Sequence, residues 1–159
     1  MLAKLTIRAL NIYLLDKSRS KRLYKSLDLG VIIISMGFFG SLIDLFGRIF
    51  ISSLFIVSGV EKIFNYESSL EYILDYNLPS FLLSPSIVVE ILFPLFIIVG
   101  YKTKISAFIL ALFTITLAFI FHFDFTNPLQ TTMFLKNIAI SGGLLFLITK
   151  DPGRFSVDE

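Results

Sequence analysis

The chain has no cysteine and, among its 159 residues, one histidine, His122. Disulfides, thiolate metal sites and thiol redox chemistry on its own side chains are therefore excluded. A lone histidine also argues against a haem held by two histidines and against a zinc site of the usual N/S type, so no metal is expected. Any redox role must use a bound cofactor or a partner. Charge is scarce as well: 16% of residues are Asp, Glu, Lys or Arg, against ~25% in soluble chains. In their place stand 55% hydrophobic residues, including 18 phenylalanines, and a mean hydropathy of +0.83. This is the composition of a small integral membrane protein. Four spans of about 20 residues each would take up roughly half of the chain.

Lys and Arg are missing from two stretches, 65–83 and 122–131, and the first of these is acidic (Glu67, Glu71, Asp75). Basic residues collect instead in residues 1–28 (Lys4, Arg8, Lys17, Arg19, Lys21, Arg22, Lys25), at Lys102 and Lys104, and at Lys150 and Arg154. Since cytoplasmic loops are enriched in Lys and Arg, both termini and the 101–104 turn are expected to face the cytoplasm, which four spans satisfy and five do not. The spans are predicted at about 44–64, 84–100, 105–121 and 132–149. Residues 29–43 read as a short interfacial piece before the first span; one long bent helix over 29–64 is the alternative. Pro79, Pro85 and Pro128 punctuate connections, and Pro94 should kink the second span one turn after Glu90. Residues 1–35 form a basic extension. Its first half carries apolar residues at loosely helical spacing and is either a helix on the membrane surface or a basic tail; it lacks the cleavage pattern of a signal peptide.

Glu90 lies within a run apolar enough to cross a bilayer, where a charge costs at least ~2.5–3.5 kcal/mol and marks a candidate functional site. With the expected topology, Glu61 and Lys62 close the first span on its outer side and His122 and Asp124 close the third. Lys136, Asn137 and Glu90 lie about one turn inside. All four spans thus bring polar groups to one level. Glu90 and Lys136 are the natural pair, with Asn137, Ser58 and Ser141 as hydrogen-bonding support. Two readings stand: a structural bolt that fixes helix register, or the lining of a pocket for the polar head of a quinone or similar amphiphile, with His122 or Glu90 managing protons. Arg48, toward the inner end of the first span, reads chiefly as a residue that snorkels to lipid headgroups, and secondarily as a counter-charge to Asp44 at i−4. Ser58-Gly59 and Ser141-Gly142-Gly143 read as sites of close helix packing.

Gly47-Arg48 through Ser58-Gly59-Val-Glu-Lys62, then Glu90, Gly100-Tyr-Lys-Thr, Phe121-His122, Met133-Phe-Leu-Lys136-Asn137 through Ser141-Gly142-Gly143, and Pro152-Gly153-Arg-Phe-Ser156-Val-Asp158 together resemble the DoxX family of bacterial inner-membrane proteins. The resemblance covers about residues 40–158 and begins near Met36, which gives a DoxX-like domain over 36–159. It implies a four-helix membrane bundle in the cell inner membrane, with Arg48, Lys62, Glu90, His122, Lys136 and Asn137 as the matching polar positions. Some relatives are subunits of a thiosulfate:quinone oxidoreductase, and others are linked to membrane complexes that resist oxidative and thiol stress. Two departures stand out. Bulky Ile91, Leu92, Phe93 and Pro94 follow Glu90 where relatives have small residues, which puts close packing there in question, and Glu61 precedes Lys62 where relatives often have a small residue.

The functional expectation is an inner-membrane subunit or scaffold that holds quinone or docks a redox partner. A quinone-dependent oxidoreductase component acting on small sulfur or thiol compounds is the enzymatic alternative, and a small transporter or lipid-binding protein is the third. The expected partners are the lipid bilayer, a protein of a redox complex or further copies of the chain. The basic N-terminal segment points to anionic headgroups and not to nucleic acid.

Overall fold

A computed structural model describes residues 37–150 and 153–158. The chain divides into two compact units, Met1–Gly40 and Ser41–Glu159. The expectations about the basic extension fall on residues outside the described ones.

The described residues are all-helical, without a strand. Helix α1 runs Gly37–Phe64, and a short helix α2 covers Tyr66–Asp75. After a 3-10 turn at Ser80–Leu82 come α3 (Leu83–Val99), α4 (Thr103–Phe121) and α5 (Pro128–Thr149). Among the described residues, four segments are long and apolar enough to cross a membrane: Gly37–Phe64, Ser80–Val99, Thr103–Phe121 and Pro128–Thr149. The protein is a four-helix membrane bundle.

Helix α1 does not break where Asp44 and Arg48 interrupt the apolar run, so residues 37–43 continue the first span instead of forming a separate interfacial piece. The physical reason is their i, i+4 spacing. It puts the two side chains on one face, Arg48 Nε 3.2 Å from Asp44 Oδ2, and the pair neutralises itself inside the helix. Pro128 is the first residue of α5, and the Asn127 side chain accepts from the Leu129 amide at 2.9 Å. This cap starts α5 four residues earlier than the apolar pattern predicts.

The core gathers Phe55 of α1, Ile97 of α3, Ala107, Leu110 and Ala111 of α4, and Leu144 of α5. Alanines on α4 let α5 approach closely, and Ser141 Oγ donates to the Ala111 carbonyl at 3.4 Å and to its own Asn137 carbonyl at 2.8 Å. Between α1 and α3, Gly59 supplies the close contact: a Cβ there would lie 2.9 Å from Ile91 Cγ1 and 3.2 Å from Glu90 Cβ. The bulk after Glu90 is thus accommodated by a glycine on the opposite helix. Gly143 meets Ile51 in the same way, at 3.3 Å, whereas Gly142 faces open space.

At the opposite end from His122 the C-terminal tail folds back over the α3–α4 turn. Val157 and Asp158 amides donate to the Gly100 carbonyl at 3.1 and 2.8 Å, and Ser156 Oγ donates to the same carbonyl at 2.7 Å. Asp158 Oδ2 accepts from the Thr103 amide at 2.9 Å, which satisfies an orphan donor at the start of α4. Backbone N–H groups of Lys102 and Thr103 accordingly hold the Asp158 carboxyl below its ordinary 3.8.

Gly100 ends α3 at φ +71°, a left-handed conformation that other residues adopt at a penalty. Gly100→Ala adds a Cβ that would lie 2.6 Å from Ser156 Cα. It should destabilise the protein by about 1–3 kcal/mol and free the tail, seen as faster proteolysis after residue 150 alongside a lower melting temperature. Unchanged tail protection in this variant would contradict the role given to the turn.

Candidate functional site

Glu90 is 2% exposed, and its partner is Lys62, not Lys136. Lys62 Nζ lies 2.5 Å from Oε1 and 2.6 Å from Oε2, a bidentate contact that neutralises the carboxylate. Ser58, one turn earlier on α1, accepts from Lys62 Nζ at 3.3 Å and donates to Glu90 Oε2 at 3.3 Å, so three side chains close a triangle. Gly59 lets the two helices come near enough for this. Pro94 lies inside α3 and has no N–H to give the carbonyl four residues earlier, which is that of Glu90. The site therefore also carries a main-chain carbonyl without its helical donor.

Lys136 is exposed on α5. The reason is helical phase: the inward stripe of α5 runs through Asn137, Ser141, Leu144 and Ile148, and Lys136 stands about 100° off Asn137 around the axis. Ser141 spends its hydroxyl on backbone carbonyls, and among the described residues Asn137 makes no hydrogen bond to the Glu90–Lys62 pair. The expected depth shifts too, since α5 begins at Pro128 and Lys136 therefore lies about two turns in.

The pair forms part of the wall of a cavity of about 880 Å³. Glu61, Lys62 and Ser58 line it from α1, Tyr72 and Ile73 from α2, Val89 and Glu90 from α3, Phe113, Thr114, Leu117 and Phe121 from α4, His122 from the end of α4, and Asn137 from α5. Five of the six residues singled out in the sequence for a polar pocket thus border one space, and Lys136 does not. Glu61 is exposed. His122 is half-buried, with Nδ1 2.7 Å from Gln130 Oε1. A carboxamide oxygen accepts, so Nδ1 is the donor in this contact.

Helix α2 was not predicted; its stretch read as an acidic connection. Leu70, Ile73 and Leu74 do carry helical spacing, but three acids at positions 67, 71 and 75 hide it. Tyr72 stacks on Phe121 at 5.3 Å between ring centroids, and Tyr76 meets the same ring edge-on at 4.8 Å. Tyr76 Oη also donates to the Phe121 carbonyl at 3.3 Å. These contacts pin α2 to the end of α4 and put Tyr72 on the cavity wall. Partial desolvation, aided by the neighbouring Tyr76, pushes the hydroxyl of Tyr72, which is still 45% exposed, up to about 12.

Arg48 does not snorkel. It is 1% exposed, donates through Nη1 to the Ile97 carbonyl at 3.3 Å and through Nη2 to the Phe155 carbonyl at 2.7 Å, and pairs with Asp44. Lys150 Nζ adds a second contact to Asp44 at 3.7 Å. The guanidinium thus ties α1 to α3 and to the tail, and the counter-charge reading holds in its place. Its fork of donors reaches two carbonyls at once, which an ammonium does not match.

Among the described residues, no group of three His, Asp or Glu side chains converges as metal ligands would. The family model described as DoxX matches residues 43–123. The chain is 38% identical to inner membrane protein YqjF of Escherichia coli (strain K12) over 115 residues, covering 72% of this chain and 88% of that protein. It is 27% identical to inner membrane protein YphA of the same organism over 122 residues, 72% of this chain and 87% of that one. A Surfeit locus protein 4 homolog of Schizosaccharomyces pombe is 33% identical over 70 residues, 40% of this chain and 23% of that protein. No solved structure matches the chain.

Proposed function

This chain belongs to the DoxX family and is a multi-pass protein of the inner membrane, and we propose that it serves there as a binding subunit whose cavity receives the polar head of an amphiphile of the quinone class. The observation that carries this reading is the buried Lys62–Glu90 pair in the wall of a cavity of about 880 Å³, a volume within the ~300–1,000 Å³ range of small-molecule sites. Most of that wall is apolar, with polar groups at a few points.

The cavity is bordered by side chains that face outward from the membrane-spanning helices. Leu54 lies ten positions before the end of α1, about 15 Å along the axis, and is 49% exposed while lining the cavity. Thr116 and Ile120 of α4 are likewise exposed and on the wall. An opening at that depth faces hydrocarbon, which favours a ligand with an apolar chain. A ring with carbonyl or hydroxyl oxygens fits the polar points: Lys62 and Ser58 can donate, the Asn137 amide can do both, and the His122 ring adds a further polar edge. Since Lys62 is engaged with Glu90 and His122 with Gln130, these groups are arranged to hold and orient a head group. This supports a binding role over independent catalysis.

Purification in mild detergent followed by mass spectrometry of extracted lipids should find quinone at near-stoichiometric level. Thr116→Trp, a large ring added at an exposed wall position, should cut the retained quinone by about tenfold, an affinity loss of ~1.4 kcal/mol, with little change in melting temperature. Quinone content no higher than in an unrelated membrane protein purified alongside would refute the proposal.

A further inference from the structure

We infer that the cavity discriminates by head-group charge, admitting neutral and cationic amphiphiles and rejecting anionic ones, with Glu61 as the residue that sets this preference. The inference rests on the cavity being an amphiphile site. Three side chains on its wall carry formal charge: Glu61, Lys62 and Glu90. The single cation is held within 2.6 Å of both Glu90 oxygens, so its field is largely matched by its own partner. Glu61 then adds an exposed carboxylate with no ion pair among the described residues, leaving two carboxylates against one ammonium. The nearest further lysine in sequence to a lining residue of α5, Lys136, is not on the wall.

An anionic head would meet a net negative rim near the outer end of α1, where like charges repel and solvent screens the repulsion only in part. A neutral head suffers no such repulsion and still finds hydroxyl and amide partners in Ser58 and Asn137. A cationic head gains attraction from Glu61.

The test uses the full chain in neutral detergent with three probes of equal chain length, decanol, decylammonium and decanoate, with bound probe counted by native mass spectrometry. Decanol and decylammonium are expected to bind, with decanoate weaker than decanol by about tenfold, the size of one unit-charge repulsion after partial screening. Glu61→Gln should narrow the decanol–decanoate gap, and Glu61→Lys should reverse it. Glu61 is exposed, so neither change removes a core contact. Equal binding of decanoate and decanol by the unmodified protein, or a gap unmoved by Glu61→Lys, overturns the inference while leaving the amphiphile site standing. Binding of none of the three overturns the amphiphile site and the inference together.

Discussion

Arg48→Leu should lower stability by about 3–5 kcal/mol, the range found when one partner of a buried ionic contact is removed. The size follows from what is left behind. Asp44 loses the guanidinium 3.2 Å away and keeps only the Lys150 contact at 3.7 Å, while the carbonyls of Ile97 and Phe155 lose their donor. Leucine fills space but satisfies none of them, and an unpaired buried acceptor costs about 1–3 kcal/mol by itself. The tail should detach, because Nη2 holds its Phe155 carbonyl. Thermal denaturation in mild detergent, with tail proteolysis as a second readout, measures both effects. Arg48→Lys should recover only part of the loss, since an ammonium lacks the planar fork that reaches two carbonyls. A loss below about 1 kcal/mol, the size of an exposed pair, would show that the guanidinium is solvated and not a tie between helices.

How much of this was legible in the sequence depends on the range of the interaction. The four spans follow from hydropathy, because the length of an apolar helix is a local property. That Glu61, Lys62, Glu90 and His122 lie near one level could be read from depth along each span, which counting residues supplies, whereas Asn137 lies about a turn deeper than counted because α5 starts at Pro128. The identity of the pair could not be read this way. Depth says which residues share a level, but rotation about each axis decides which of them touch, and for Lys62 and Lys136 that rotation is set by Gly59 against Glu90 and Ile91 and by Ser141 against Ala111. A glycine adjoining a Ser-x-x-x-Lys ridge on α1 was the available signal. Arg48 went astray for a related reason. An arginine near a span end snorkels when lipid lies beside it, and nothing local reveals that the chain returns some hundred residues later to cover it. Helix α2 was hidden by its own acids, which face away from the ring contacts that dock it.

The Lys62–Glu90 pair permits a test that separates a bolt from a binding wall. Glu90→Gln alone leaves an ammonium whose partner has gone, and Lys62→Met alone leaves a carboxylate 2% exposed beside α1. Lys62→Met should destabilise by about 3–5 kcal/mol as an uncompensated buried charge, and Glu90→Gln by less, because Lys62 is 26% exposed and its ammonium has water or headgroups within reach. The double variant Lys62→Met/Glu90→Gln removes both charges and keeps the volumes, so stability should return to within about 1 kcal/mol of the unmodified protein, since paired buried charges are often replaceable by apolar groups without loss. A coupling energy below about 0.5 kcal/mol in this cycle would mean that the two groups do not interact as drawn. If the pair were only a bolt, the double variant would be stable and would retain quinone as before. A wall that orients a polar head predicts a stable double variant with its quinone lost. Fold and ligand therefore part company in one protein, which neither single substitution of the pair achieves.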